Sequence, residues 1–131
     1  KTKSDCIDSD FSTGVIDDST VRACGGDGVD LNHSLFRIQS STLTNNSDKG
    51  LSCGEKSICR IIKSRVSENS TAIAVKDSSV LFSVGNHFRA NPYGIASFVK
   101  KPWYGKPYVH DTDSIFTGDG LHQVDLGFFR Y

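Results

Sequence analysis

The chain has 131 residues, 37% of them hydrophobic, with 15 Lys and Arg balanced by 15 Asp and Glu. That length fits one domain around one modest core. No apolar run approaches the roughly 18 residues of a membrane span, and Lys1-Thr2-Lys3-Ser4-Asp5 lacks the apolar core of a targeting segment. Because the first residue is not Met, a processed form is expected.

The zero net charge conceals segregation. Residues 1–48 carry four Lys/Arg against eight Asp/Glu, residues 49–110 ten against three, and residues 111–131 one against four. A basic middle between acidic segments suits an anion-binding face beside a carboxylate cluster. Scattered, solvated charge is the plainer reading.

In chain order, residues 1–20 are rich in Ser, Thr and Asp and read as an irregular N-terminal arm. Leu31–Ile38 is a helix candidate. Residues 40–50 form the clearest loop. Ser52 and Glu55 have capping-box spacing, opening a helix with Ile58, Ile61, Ile62 and Val66 on one face, although the same residues also alternate as a strand. Thr71–Val75 and Val80–Val84, separated by Lys76-Asp77-Ser78-Ser79, predict a hairpin. Ile95–Val99, Ser114–Thr117 and Leu121–Phe129 complete the strand candidates. No internal repeat is evident. The expected class is α+β, an antiparallel β-sheet of four to six strands with one or two short helices, in a single domain over 1–131.

Cys6, Cys24, Cys53 and Cys59 permit three pairings and lack the Cys-x-x-Cys spacing of a structural zinc site. One or two disulfides, or buried thiols, remain open. Sequons at Asn32, Asn45 and Asn69 matter only on a secretory route.

Three constellations carry candidate chemistry. Cys24-Gly25-Gly26-Asp27-Gly28-Val29-Asp30-Leu31-Asn32-His33 places Asp30 and His33 on one helical face with Asp27 nearby, half of a divalent metal site. Asp30 as a plain helix cap is the structural alternative. His110-Asp111-Thr112-Asp113, with His122, could complete such a site, while Asp119 reads as turn chemistry. Gly85-Asn86-His87-Phe88-Arg89 follows a strand and offers a base and a phosphate clamp. Lys100, Lys101, Trp103, Tyr104 and Tyr108 combine phosphate neutralisation with base stacking, and Lys106 lies beside the aspartates.

The segments 24–33, 80–89, 100–113 and 120–131 together resemble the mushroom ribotoxin-like proteins, the family of ageritin. The resemblance rests on overall likeness rather than a short motif. It implies a metal-dependent endonuclease, typically using zinc, that cuts one bond in the sarcin–ricin loop of large-subunit rRNA and stops translation. The expected function is therefore a ribonuclease acting on ribosomes as a monomer, with DNA as a side substrate and no membrane partner. His87, Arg89, Lys106 and His110 are its expected catalytic residues, and Lys100, Lys101, Trp103, Tyr104 and Tyr108 its RNA contacts. Asp27, Asp30, His33, Asp111, Asp113 and His122 are its expected ligands for Zn²⁺ or Mg²⁺. Two other readings stand beside it. One is a metal-free ribonuclease. The other is a non-catalytic, lectin-like defence module that uses Trp103 and Tyr104 as a stacking platform and its aspartates for Ca²⁺. Storage in the producing cell and secretion both fit.

Overall fold

Short strands, most of them ended by a residue with left-handed backbone, set the architecture. In the computed structural model, which describes residues 4–128, there are sixteen strands and no helix among the described residues. A first coil runs through β1 (Ile7–Asp10), β2 (Thr13–Asp17) and β3 (Thr20–Arg22). The second follows with β4 (Val29–Asn32), β5 (Leu35–Gln39) and β6 (Thr42–Thr44). The third has β7 (Lys49–Gly54), β8 (Ile58–Ile62) and β9 (Arg65–Ser67), and the fourth β10 (Thr71–Lys76), β11 (Val80–Val84) and β12 (His87–Arg89). The fifth has β13 (Tyr93–Val99), β14 (Tyr108–Thr112) and β15 (Ile115–Thr117), and β16 (Leu121–Phe128) opens a sixth.

Each strand pairs in parallel with its counterpart one coil away. The first sheet is β1-β4-β7-β10-β13-β16, the second β2-β5-β8-β11-β14 and the third β3-β6-β9-β12-β15. The chain is thus an all-β, three-sided parallel solenoid. This overturns the expected α+β class with its antiparallel sheet and short helices.

The corners explain the correction. Left-handed backbone is uncommon outside glycine, yet fourteen non-glycine residues adopt it among the described residues, at matching positions. Phe11, His33, Glu55, Lys56, Asp77 and Ser78 have positive φ at the first corner. Asp18, Ser40, Lys63, Gly85 and Asp113 share it at the second, and Ala23, Asn45, Glu68, Ala90 and Gly118 at the third. His33 therefore ends β4 and splits the expected helix Leu31–Ile38 in two. Glu55 and Lys56 do the same to the capping-box helix, whose strand alternative is the one realised. Asp77 and Ser78 turn the chain onto the next sheet instead of reversing it, so Thr71–Val75 and Val80–Val84 are neighbours in sequence but not a hairpin. The supposed arm contains β1 and β2. Residues 1–3 of that arm, and Phe129 at the end of the last strand candidate, lie outside the described residues.

Each left-handed residue hands the chain to a small polar one, and these stack into ladders. At the first corner the amides of Ser12, Ser34 and Ser57 donate to the hydroxyls of Ser34, Ser57 and Ser79 at 3.1–3.2 Å. At the second, Ser19, Ser41, Ser64, Asn86 and Ser114 follow the same rule. At the third, Cys24, Asn46, Asn69, Asn91 and Asp119 do so at 2.7–3.1 Å. The sequence separation is 22 or 23 residues, rising to 28 in the last coil, where residues 100–107 are inserted. A repeat is therefore present, contrary to the expectation of none. Its carriers are one small polar residue per corner and the apolar alternation between corners, so residue identity alone does not reveal it.

Inside, like stacks on like. Val29, Leu51, Ile73 and Ile95 form one column, and Val21, Leu43, Val66 and Phe88 another, all of them buried. Phe88 continues onto Phe116 with ring centroids 4.7 Å apart. The disulfides are Cys6–Cys24, which closes the first coil, and Cys53–Cys59, which ties β7 to β8; no free cysteine occurs among the described residues.

Asn69 tests the ladder. It is buried, its Oδ1 accepts from the Asn46 amide and side chain, and its Nδ2 donates to Leu43 O and Asn91 Oδ1. Asn69→Ala strands several of these partners and should cost on the order of 3 kcal/mol in urea unfolding. Ser19→Ala, at an exposed rung, should cost about 0.5 kcal/mol or less. Equal losses would mean that the ladder carries no special weight.

Candidate functional site

Two outward faces concentrate chemistry. On the first sheet, Val29 and Leu31 point into the core, so Asp30 between them points out. Asp8 stands in register with Asp30 in the preceding coil. Asp5 lies just before β1, and its Oδ1 accepts the Asp27 amide at 2.5 Å. A side chain at Gly26 would crowd the Asp5 carboxylate out of this position. Asp5, Asp8 and Asp30 converge, each offering an oxygen within 4.8 Å of the others. Lys49 meets Asp48 at 2.8 Å and Asp27 at 3.8 Å on the following coil.

Burial and carboxylate crowding perturb these groups. Burial pushes the Asp30 carboxyl up to about 6, against the pull of Lys76, with Asp27 and Asp5 adding repulsion. Asp27 is raised too, again chiefly by burial, with Lys49 opposing. Burial lowers the Lys76 ammonium, helped by repulsion from Lys49 and Lys100.

The outward face of the second sheet has the opposite character. One column runs Val15, Arg37, Arg60, Phe82, His110 across five neighbouring strands. The Arg60 guanidinium lies 5.5 Å from the centre of the Phe82 ring. Phe82 also approaches Tyr108 and His110, each at 6.4 Å between ring centres. Leu35, Ile58, Val84 and Tyr108 leave apolar surface exposed on either side. Two shallow depressions, of about 370 and 310 Å³, share Arg60 in their lining.

The expected site residues fall on different parts of the solenoid. Asp27 and Asp30 are together on the first sheet. His33 sits on the neighbouring corner, stacked on Phe11 at 4.6 Å and 3.3 Å from the Tyr104 hydroxyl. Tyr104 belongs to the inserted segment 100–107, which also pins its start to this corner: the Lys100 and Lys101 amides donate to Asp77 Oδ1, and Lys101 pairs with Glu55. That pairing raises the Lys101 ammonium. Trp103 is 74% exposed at the tip, and Lys106 is exposed beyond it. His110 and Tyr108 face outward on the second sheet. Asp111 is turned away from them, accepting from Ser83 and Ser114. Asp113 is a left-handed corner residue. His87, 3.1 Å from Thr117, and Arg89, 2.7 Å from Glu68, belong to the third sheet. His122, on β16, stacks on Phe116 of β15.

Sequence reasoning therefore found Asp30 but missed Asp5 and Asp8, and missed Arg37, Arg60 and Phe82 entirely. The signal was the coil length. Asp8 and Asp5 stand one coil before Asp30 and Asp27, as Arg37 stands one coil before Arg60. His33 and Asp113 attracted notice for their residue type, and that type has a structural reason. His, Asn and Asp tolerate the left-handed region better than most residues. The sequon residue Asn69 spends its amide inside the ladder.

The profile of the family described as right handed beta helix region matches residues 3–102. No curated protein and no solved structure matches the chain.

The Asp30 carboxyl yields a pH prediction. Below its ordinary value of 3.8 it is protonated in both folded and unfolded chains. Between there and about 6 the folded state keeps a proton that the unfolded state has lost, and above about 6 the full penalty of a buried charge applies. Stability owed to this group therefore falls as pH rises from about 4 to about 6. Calorimetric melts in chelator should show Asp30→Asn gaining on the parent across that window. A difference independent of pH would contradict the assignment.

Proposed function

We propose, for a chain that belongs to the right-handed β-helix family, that the second-sheet face binds an acidic polysaccharide and that the protein is a glycan-binding module. The Arg37–Arg60–Phe82–His110 column carries this reading. Strands stand about 4.8 Å apart, so the column presents charged and aromatic groups at regular steps along roughly 14 Å of the solenoid. An extended polymer meets such a surface better than a compact ligand does. Guanidinium groups bind carboxylate or sulfate in a fork, and the Phe82 and Tyr108 rings give apolar faces for sugar C–H groups.

Two disulfides favour an oxidising compartment, where acidic glycans are the abundant polyanions and ribosomes are absent. The ribonuclease reading draws its groups from three sides of the solenoid: His110 on the second sheet, His87 and Arg89 on the third, and Asp30 on the first. Binding needs no such convergence.

Calorimetric titration with a polyuronate, a neutral glycan of equal length and single-stranded RNA tests the proposal. The polyuronate should bind, more weakly as salt rises, and the neutral glycan should not. Arg60→Ala should weaken binding about tenfold or more, the scale of a lost charge-assisted hydrogen bond. Equal binding of the neutral glycan, or an Arg60→Ala variant with parent affinity, would refute it. Tighter binding of RNA than of polyuronate would return nucleic acid as the ligand.

A further inference from the structure

The first-sheet face carries a separate chemistry, independent of the glycan face. The carboxylate oxygens of Asp5, Asp8 and Asp30 lie within 4.8 Å of one another. Two oxygens each about 2.4 Å from one Ca²⁺ can be no more than about 4.8 Å apart, and the triad lies within that limit. Acidic side chains gather on many surfaces without a cation, and the triad alone decides nothing.

The deciding observation is Ser52. Leu51 and Cys53 on either side of it belong to the core, which places the Ser52 side chain on the outward side of β7. There it stands in register with Asp30. The residue is fully buried, and its hydroxyl has no hydrogen-bond partner among the described residues. A buried hydroxyl with no partner is costly, and the next coil fills the same column position with Ala74. Packing therefore asks for no oxygen at position 52, and the oxygen present stands one strand from Asp30, on the face that carries the triad.

We infer that Asp5, Asp8, Asp30 and Ser52 form a Ca²⁺ site on the first sheet. All four donors are oxygen, the set that hard cations prefer, and neither nitrogen nor sulfur is among them to favour zinc. His33, from the expected zinc set, is occupied by Phe11 and Tyr104. Mg²⁺ demands a stricter octahedron and gives up water reluctantly, so it should bind less well. The site joins the first two coils to the third. Cation binding should therefore stabilise the N-terminal end of the solenoid.

The test is calorimetric titration of the chelator-treated full chain with CaCl₂, alongside thermal melts. One Ca²⁺ should bind, and the melting temperature should rise with its concentration. Asp8→Asn should weaken binding at least about tenfold. Ser52→Ala should weaken it about threefold to tenfold, while its metal-free form melts no lower than the parent, because an orphaned hydroxyl has been removed. Arg60→Ala should bind Ca²⁺ as the parent does, which keeps this result apart from the glycan result. Absence of heat and of any melting shift at millimolar Ca²⁺ would overturn the site. So would an Asp8→Asn variant with parent affinity. Parent affinity in Ser52→Ala would overturn the four-ligand assignment.

Discussion

Everything in this molecule depends on how the chain turns a corner without stranding its amides. A left-handed residue swings the backbone onto the next sheet, and the small polar residue after it accepts the corner amide of the coil before. Either element alone would fail. Left-handed backbone costs a non-glycine residue about 1–2 kcal/mol. A buried corner amide with no partner costs a comparable amount. Together they let the coil-to-coil hydrogen bonding run through the bends, and the interior columns of Val, Leu and Ile then stack in register.

This arrangement separates stability from function. Corner and inward positions are committed to the ladder and the core, which leaves outward positions free to vary from coil to coil. Along the first sheet they pass from Asp5, Asp8 and Asp30 through Lys49 and Ser52 to Ala74 and Ala96. Along the second they pass from Val15 through Arg37 and Arg60 to Phe82 and His110. Parallel stacking turns residues far apart in sequence into neighbours about 4.8 Å apart. The segregation of charge along the chain thus becomes segregation between and along faces. The insertion at 100–107 departs from the coil rule, and it is anchored back to the first corner through Asp77, Glu55 and His33.

Local alternation was legible. Thr71–Val75, Val80–Val84, Ile95–Val99 and Ser114–Thr117 are strands at or near their expected limits. The direction of pairing was not legible, because a corner such as Asp77-Ser78 uses the same residues as a reversing turn. Helix signals at Leu31–Ile38 and at Ser52–Glu55 were apolar spacings that a bend at His33 or Glu55 divides into two strands. The site shows the same limit. Asp30 drew attention for its spacing to His33, its real partners came from one coil upstream in a segment read as irregular, and Arg60 and Phe82 looked unremarkable until stacked.

The coil is the unit of this fold, and deleting one tests that directly. Removing residues 69–90 places Asn91 where Asn69 stood, a shift of 22 residues that keeps the second- and third-corner ladders and the interior columns in phase, at the loss of the Ser79 rung and the Asp77 anchor of the insertion. The shortened chain should keep the β-type circular dichroism and a single cooperative melt, at a lower temperature. Removing half as many residues should abolish cooperative melting. A whole-coil deletion that unfolds the chain, or a half-coil deletion tolerated equally well, would contradict the ladder as the organising constraint.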